Sequence, residues 1–236
     1  MFRPMIISVL LLLLIALACH ADDWARQRER MVQVVKAQGV SDARVLQAMR
    51  KVERHLFVPE RYRPFAYSDR ALPIEHDQTI SQPYIVGFMT EALQLRGGET
   101  VLEVGTGSGY QAAILAELSK HVYTIEIICA LADSARERLQ GLGYRNVEVR
   151  CGDGYRGWAE HAPFDSIIVT AAPDHVPQPL IDQLKVGGRM IIPVGKNVQE
   201  LMLIVKTKDG TTQKSVLPVM FVPLTGPEVD KRKKGK

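Results

Sequence analysis

A glycine-rich turn between a short apolar strand and a helix constrains the fold of this chain more than any other feature. The turn lies in the run Val101–Tyr110, which reads VLEVGTGSGY, and residues 111–118 after it are typical of a helix. Glycine carries no side chain and tolerates a positive φ, so the backbone of such a turn approaches a ligand closely. The N–H groups at the start of the helix then face that ligand. The run predicts the first strand–turn–helix unit of a nucleotide-type binding site.

Acidic residues follow at the ends of the next two predicted strands. The second strand ends in Glu126, 21 positions after Gly105, where a carboxylate accepts hydrogen bonds from ribose hydroxyls. The third strand leads into Gly152-Asp153-Gly154, where Asp153 is placed to accept from an adenine amino group. Position 112 is Ala instead of the last glycine of the dinucleotide fingerprint, which disfavours NAD and FAD. The pattern favours an adenosine-containing cofactor without a pyrophosphate, and solvated strand-end acids are the alternative.

Strands and helices alternate from Thr100 onward. Strands are predicted over 100–104, 121–126, 146–150, 164–170 and 188–193, and helices over 108–119, 129–141 and 177–185. Such alternation predicts an α/β fold with a Rossmann-like, doubly wound and mostly parallel sheet. Two late strands, 201–206 and 216–222, flank Asp209-Gly210 and predict a hairpin, so the sheet is expected to end with an antiparallel C-terminal strand.

A leader precedes the folded part of the chain. Arg3 comes before an apolar run from Met5 to Ala18, and small residues follow, which is the layout of a secretory signal peptide over 1–21. Lipidation at Cys19, a retained membrane anchor and a later translation start at Met31 are the alternatives. The leader predicts an exported, periplasmic protein.

Composition indicates one ordinary globular domain. Residues 22–226 are predicted to form it, with a helical and substrate-loop part over 22–98 and a cofactor-binding sheet over 99–226; a basic tail follows over 227–236. The net charge of +4 is concentrated at the ends, since the tail after Asp230 carries five positive charges and the leader one. The body therefore has 24 basic against 26 acidic residues, which predicts no nucleic-acid partner.

The cysteines and histidines show no metal-binding pattern. Cys129 and Cys151 lack both metal-ligand spacing and the arrangement of a disulfide framework, so they are predicted to pack as small hydrophobic side chains. Histidines 55, 76, 161 and 175 are predicted at loop or surface positions, and no metal site is expected.

Five further motifs accompany the glycine-rich run. They are Phe57-Val58-Pro59-Glu60, Thr79-Ile80-Ser81-Gln82-Pro83-Tyr84, Gly152-Asp153-Gly154, Ala162-Pro163-Phe164-Asp165 and Ile191-Ile192-Pro193-Val194-Gly195. Over about residues 43–226 the chain resembles the protein-L-isoaspartate O-methyltransferase family of seven-strand S-adenosylmethionine-dependent enzymes. The resemblance implies methylation of the free carboxylate of L-isoaspartyl residues in damaged proteins. The ester then collapses to a succinimide, and its hydrolysis returns some normal aspartate.

The resemblance also implies roles for single residues. Ser81 matches the residue that the family places beside the substrate carboxylate and the transferred methyl, and Thr79 is its neighbour in that loop. Capping of the helix that begins near Pro83 is the alternative role for both. The residues expected at the S-adenosyl-L-methionine cofactor are Glu103, Gly105, Thr106, Gly107, Ser108, Gly109, Glu126, Asp153, Gly154 and Thr225.

Other functions and settings stay open at this point. A small-molecule O-methyltransferase and a non-catalytic cofactor-binding protein of the cell envelope are the alternatives. Thr170-Ala171-Ala172-Pro173 lacks the Asn/Asp-Pro-Pro pattern of enzymes that methylate amines, which disfavours amine substrates. The expected partners are isoaspartyl proteins and peptides, with membrane contact only through an uncleaved leader, and the expected state is a monomer. The resembling family is ordinarily cytoplasmic, which is the alternative to export.

Overall fold

The computed structural model describes residues 23–229. Its helices are α1 over 23–37, α2 Ala43–Lys51, α3 Pro83–Leu93, α4 Tyr110–Ala116, α5 Cys129–Gly141 and α6 Gln178–Gln183. Its strands are β1 Leu72–Pro73, β2 Thr79–Ile80, β3 Thr100–Val104, β4 His121–Glu126, β5 Val147–Cys151, β6 Phe164–Val169, β7 Leu184–Val194, β8 Gln199–Thr207 and β9 Gly210–Val219.

Seven of these strands form one sheet in the order β5-β4-β3-β6-β7-β8-β9. The strands β3 to β7 pair in parallel, whereas β8 is antiparallel to β7 and β9 is antiparallel to β8. The predicted α/β class and the antiparallel C-terminal hairpin are confirmed. Strands β4 and β5 lie on one side of β3, and strands β7 to β9 lie on the other side of β6. The strand order therefore reverses between β3 and β6, and a crevice opens at the carboxyl ends of two strands at such a switch point.

Apolar side chains cover both faces of this sheet. Successive strand residues point to opposite faces, and so Val101 packs with the side chains of α2, α3 and α4 while Leu102 packs on the other side with Leu180 of α6. Val101 and Leu102 are fully buried. The burial of both faces fixes the position of the strand ends that form the crevice.

The segment between α2 and α3 lies next to that crevice. Asp42 caps α2 by accepting from the Arg44 N–H at 2.8 Å. The segment then contains two short 3-10 helices, Arg54–Phe57 and Glu60–Phe65, and the small antiparallel pair β1–β2. Two residues separate the end of β2 from the start of α3.

The prediction for Cys129 and Cys151 is wrong, because the two residues form a disulfide. Cys129 begins α5 three residues after the end of β4, and Cys151 ends the neighbouring strand β5 directly opposite Glu126. This register brings the two Cα atoms to 4.9 Å although 22 positions separate them. Spacing along the sequence gives no sign of that register.

The prediction for His55 is also wrong, because its side chain is buried and stacks on Trp24 with a centroid separation of 4.7 Å. No helix within residues 23–229 is long and apolar enough to cross a membrane. The predicted leader and most of the predicted basic tail lie outside the described residues. The division of the domain at residue 98 stays a prediction.

Candidate active site

A cleft opens at the carboxyl ends of β3, β4 and β6. Its lining includes Gly105, Gly107, Glu126, Gly154 and Thr225, and its cavity volume is about 190 Å³. The sequence predicts these five residues at a cofactor, and the structure brings them together.

The glycine turn is held in shape by Thr170, which follows β6. Gly105 has φ +98°, and a Cβ atom there would lie 2.4 Å from the Thr170 Oγ1. The Thr170 hydroxyl lies 2.7 Å from the carbonyl oxygen of Gly105 and 3.1 Å from that of Val104, and it donates to this pair. Only glycine therefore allows the turn to pass so close to the neighbouring strand.

Glu126 joins the glycine turn to the end of β4. Its side chain is almost completely buried, its Oε2 accepts from the Gly107 N–H at 2.9 Å, and its Oε1 accepts from the Ile128 N–H at 3.0 Å. An ionised carboxylate has about four acceptor positions, so two backbone bonds leave capacity for ribose hydroxyls. The position at the cleft agrees with the predicted role.

Five of the predicted cofactor residues lie outside the cleft lining: Glu103, Thr106, Ser108, Gly109 and Asp153. Burial raises the pKa of Glu103 to about 8, so this carboxyl group holds a proton at neutral pH. Its Oε2 lies 2.6 Å from the Thr124 hydroxyl, which lies 2.7 Å from the Thr106 hydroxyl. These two hydrogen bonds connect Thr106 of the turn to the buried side chains of β3 and β4.

Gly109 and Ser108 connect the turn to helices. Gly109 caps α4 with φ +88°, and a Cβ atom there would lie 3.2 Å from Leu139 of α5. The carbonyl oxygen of Ser108 accepts from Arg138 Nη1 at 2.8 Å. Direct contact of the cofactor with Glu103, Thr106, Ser108 or Gly109 stays a prediction.

Asp153, which follows β5, connects the end of this strand to the C-terminal segment. Its Oδ1 accepts from the Tyr155 N–H at 3.0 Å and its Oδ2 from the Glu228 N–H at 3.2 Å. Gly226 passes so close that a Cβ atom there would lie 2.9 Å from the Asp153 Oδ1. Asp153 thereby holds the segment in which Thr225 reaches the cleft. Its predicted contact with an adenine amino group stays a prediction.

A second cavity adjoins the cleft and contains Ser81. This groove has a cavity volume of about 440 Å³, and its lining includes Ser81, Gln82, Ile85 and Met220. Three residues line both cavities: Thr79, Thr170 and Val222. A group held in the groove therefore meets a ligand of the cleft at this shared wall.

Ser81 and Thr79 do not cap α3. The N-cap residue of that helix is Gln82, which makes no side-chain capping bond, and the Tyr84 N–H donates instead to the Asp69 Oδ1 at 2.8 Å. Thr79 belongs to β2 and Ser81 lies between β2 and the helix. The alternative role as helix caps is thus not seen, and both hydroxyl-bearing residues line the groove.

The charge of the cleft suits a cationic ligand without phosphate groups. Within the described part of the chain, its lining contains Asp77 and Glu126 and neither lysine nor arginine. Phosphate-binding sites use basic side chains or a helix N-terminus. A sulfonium cofactor, which carries a positive charge and an adenosine, fits the residues present.

The sequence profile of the protein-L-isoaspartate(D-aspartate) O-methyltransferases matches residues 26–229. The chain belongs to this family. A protein-L-isoaspartate O-methyltransferase 2 of Syntrophobacter fumaroxidans is 63% identical over 188 residues, which cover 78% of this chain and 76% of the relative. The corresponding enzyme of a Synechococcus strain is 56% identical over 214 residues, covering 86% and 87%.

Solved structures agree with the sequence comparison. A protein-L-isoaspartate O-methyltransferase matches with a TM-score of 0.80 and 30% identity, covering 88% of this chain and 69% of that one. A second match, from Plasmodium falciparum, is a family member solved in complex with S-adenosyl-L-homocysteine; its TM-score is 0.74 at 26% identity, with 84% and 98% covered. The predicted family, its methyltransferase class and its cofactor, S-adenosyl-L-methionine, are confirmed.

The structure adds Thr170 to the residues of this methyltransferase site. In the sequence, Thr170 begins the run that disfavours amine substrates, and it is not among the residues predicted at the site. Thr170 lies on the wall between the cleft and the groove and bonds to the glycine turn. Its place at the end of β6, next to β3 at the switch point, is the signal by which a sequence reading can find it.

Proposed function

We propose that this chain transfers a methyl group from S-adenosyl-L-methionine to the free carboxylate of L-isoaspartyl residues in polypeptides, at the wall shared by the cleft and the groove. The observation that carries this proposal is the position of Thr79 and Thr170, which line both cavities. A carboxylate beside Ser81 in the groove faces the reactive end of a ligand in the cleft. The family supplies the substrate class.

The reaction does not require a general acid or base from the protein. A carboxylate is ionised near neutral pH, so no side chain needs to remove a proton. The bound cofactor supplies an electrophilic methyl group on a sulfonium. A carbon–oxygen bond forms as the carbon–sulfur bond breaks, and the negative and positive charges cancel. The residues of the chain therefore act by alignment and by exclusion of water, which contributes up to about 7–11 kcal/mol in favourable cases.

Ser81 performs the alignment in this proposal. Its hydroxyl donates to one oxygen of the substrate carboxylate and leaves the other oxygen directed at the methyl group. Thr79 stands between Ser81 and the cleft and closes the site on the β2 side. The glycine turn and Glu126, which are joined by the bond from the Gly107 N–H, hold the cofactor on the opposite side in this proposal.

Methyl transfer to a synthetic isoaspartyl peptide tests the proposal directly. We expect the purified protein to methylate this peptide and to leave the peptide with a normal aspartate at the same position unmodified. The aspartyl peptide is the matched control, because it differs only in which carboxylate is free. Cofactor binding without transfer to the isoaspartyl peptide would contradict the proposal and favour a small-molecule substrate or a non-catalytic role.

The chain is further proposed to work after export, in an oxidising compartment. Two features support this. The first is the secretory leader expected over residues 1–21, which lies outside the described residues. The second is the Cys129–Cys151 disulfide, since disulfides persist in oxidising compartments and are rare in the cytosol. After cleavage at Ala21, these are the two cysteines left in the chain.

Reduction of this disulfide is expected to destabilise the protein. Opening a loop of 22 residues costs about 3 kcal/mol of the free energy of unfolding in the chain-entropy account. This corresponds to a fall in Tm of roughly 6–12 °C for a domain of this size. We expect that fall when reductant is added to the wild type, and the same low Tm in a Cys129→Ser/Cys151→Ser variant.

The double variant is also the control, because reductant must leave its Tm unchanged. Alkylation of intact cells followed by fractionation checks the location. We expect both cysteines to be blocked against alkylation and the protein to be found outside the cytoplasm. Free, alkylated cysteines in a cytoplasmic protein would overturn the proposal of export.

The proposed partners are isoaspartyl proteins and peptides alone. The near-neutral body of the chain supports the absence of a nucleic-acid partner. Membrane contact is proposed only through an uncleaved leader, and the chain is proposed to act as a monomer. Light scattering at the concentration of the activity assay measures the oligomeric state.

A further inference from the structure

Arg54 is completely buried although it carries a guanidinium group. It begins the 3-10 helix Arg54–Phe57, and its Nε donates to the carbonyl oxygen of Ala66 at 2.8 Å. Its Nη2 donates to the carbonyl oxygen of Ser81 at 2.9 Å. The guanidinium carbon lies 4.8 Å from the centroid of the Tyr110 ring. Arg54 thus connects the segment before β1, the start of α4 and the loop that presents Ser81.

The charge of Arg54 is unfavourable in this position. Burial lowers its pKa to about 10, so the group is still protonated at neutral pH. Two of its hydrogen bonds go to backbone carbonyls, which carry only partial charges. The Tyr110 hydroxyl and the Asp69 carboxylate raise the pKa, but by less than burial lowers it. An apolar side chain of similar volume would fill the space without the desolvation cost. A guanidinium can donate hydrogen bonds to the carbonyl oxygens of Ala66 and Ser81, whereas an apolar side chain cannot.

Asp69 holds the same loop from its C-terminal side. Its Oδ1 accepts from the Tyr84 N–H at 2.8 Å, and its Oδ2 accepts from the Gln82 Nε2 at 2.9 Å. The Gln38 Nε2 also donates to Oδ2, at 2.6 Å. Asp69 and Arg54 thereby fix the backbone on both sides of the Ser81 hydroxyl, and neither residue lines the cleft or the groove.

We propose that Arg54 and Asp69 are positioning residues for methyl transfer, because they set the place of the Ser81 hydroxyl in the groove through the backbone of residues 81–84. The inference rests on the role proposed for Ser81. Neither residue touches the substrate. Displacement of the hydroxyl by about 1 Å suffices for a loss of up to about 100-fold, so the accuracy of this loop matters for the reaction.

The Arg54→Lys variant tests the proposal. Lysine keeps a positive charge but has no planar fork, so it cannot hold both carbonyl oxygens as arginine does. We expect kcat/KM for the isoaspartyl peptide to fall about 10- to 100-fold, with less than about a twofold change in the Kd of S-adenosyl-L-methionine. Asp69→Ala is the second variant, should Arg54→Lys fail to fold, and the same pattern is expected from it.

Arg189→Met is the matched control. The Arg189 Nε donates to the carbonyl oxygen of Ala92 at 2.7 Å, near the other end of α3, and Arg189 lies outside both cavities. The Arg189→Met variant loses an arginine–carbonyl hydrogen bond but leaves the loop of Ser81 undisturbed. We therefore expect a lower Tm and an unchanged kcat/KM. Equal falls of kcat/KM in the Arg189 and Arg54 variants would show that Arg54 acts only on stability, and would overturn the proposal.

A double variant separates positioning from general damage. If Arg54 acts through the Ser81 hydroxyl, adding Arg54→Lys to the Ser81→Ala variant should lower kcat/KM by less than about threefold relative to Ser81→Ala alone. An undiminished loss in that background would overturn the inference and leave the role of Ser81 intact. Full activity of Ser81→Ala alone would overturn both, and so the two failures are distinguishable.

Discussion

Ser81→Ala is expected to lower kcat for isoaspartyl peptide methylation about 10- to 100-fold. A hydrogen bond to a charged group contributes about 1.5–3 kcal/mol, and each 1.4 kcal/mol is a factor of about 10 in rate. The variant leaves the glycine turn and Glu126 untouched, since Ser81 lines the groove and not the cleft. We therefore expect the Kd of S-adenosyl-L-methionine, measured by calorimetry, to stay within about twofold of the wild type.

Ser68→Ala is the control for this substitution. Ser68 lies exposed in the same N-terminal part of the chain and lines neither cavity, so its loss should change neither kcat nor Kd. A Ser81→Ala enzyme with the wild-type kcat would remove Ser81 from the mechanism. A loss confined to cofactor affinity would place the hydroxyl in the cleft, contrary to the arrangement of the two cavities.

The cofactor half of the site follows from local sequence patterns. The strands Thr100–Val104 and His121–Glu126 and the helix Cys129–Gly141 have the predicted bounds, because apolar runs and glycine turns delimit them. Parallel strands place their carboxyl ends along one edge, so Gly105, Glu126 and Gly154 had to come together. Local patterns and one rule of topology suffice for this part.

The remaining features depend on contacts between distant parts of the chain. Strand β7 begins at Leu184, earlier than predicted, because Leu184 pairs with Phe164 before a bulge in the register. The Cys129–Cys151 disulfide depends on the pairing of β4 with β5. No periodicity or spacing contains such information, since it arises only when strands are paired.

The hydrogen bonds of Arg54 and Asp69 to the loop that presents Ser81 also depend on contacts between distant parts of the chain. Arg54 precedes Ser81 by 27 positions and Asp69 precedes Tyr84 by 15. In the sequence, Arg54 is one of many arginines, and charged residues are usually solvated. It is completely buried in the fold, where it contacts the Tyr110 ring of α4 and the carbonyl oxygens of Ala66 and Ser81.

Gly105→Ala is expected to reduce the affinity for S-adenosyl-L-methionine by at least about 100-fold, or about 2.7 kcal/mol. Two effects combine at this position. Alanine is strained at φ +98°, and its Cβ atom would lie 2.4 Å from the Thr170 Oγ1. Thr170 or the turn must move, which breaks the Thr170 bond to the carbonyl oxygen of Gly105 and displaces the wall between the cleft and the groove.

Gly97→Ala separates the two effects. Gly97 has a similar φ of +105°, but a Cβ atom there would meet no atom within 4 Å, and the residue lies before β3, away from the cleft. We expect this control to lose about 1–3 kcal/mol of the free energy of unfolding through backbone strain alone, with an unchanged Kd. If Gly105→Ala bound the cofactor as tightly as Gly97→Ala, the close approach of Thr170 to the turn would have no part in shaping the site. A selective loss in Gly105→Ala would instead show that Thr170 and the glycine form one unit, in which the absence of a side chain at residue 105 sets the distance between β3 and β6 at the switch point.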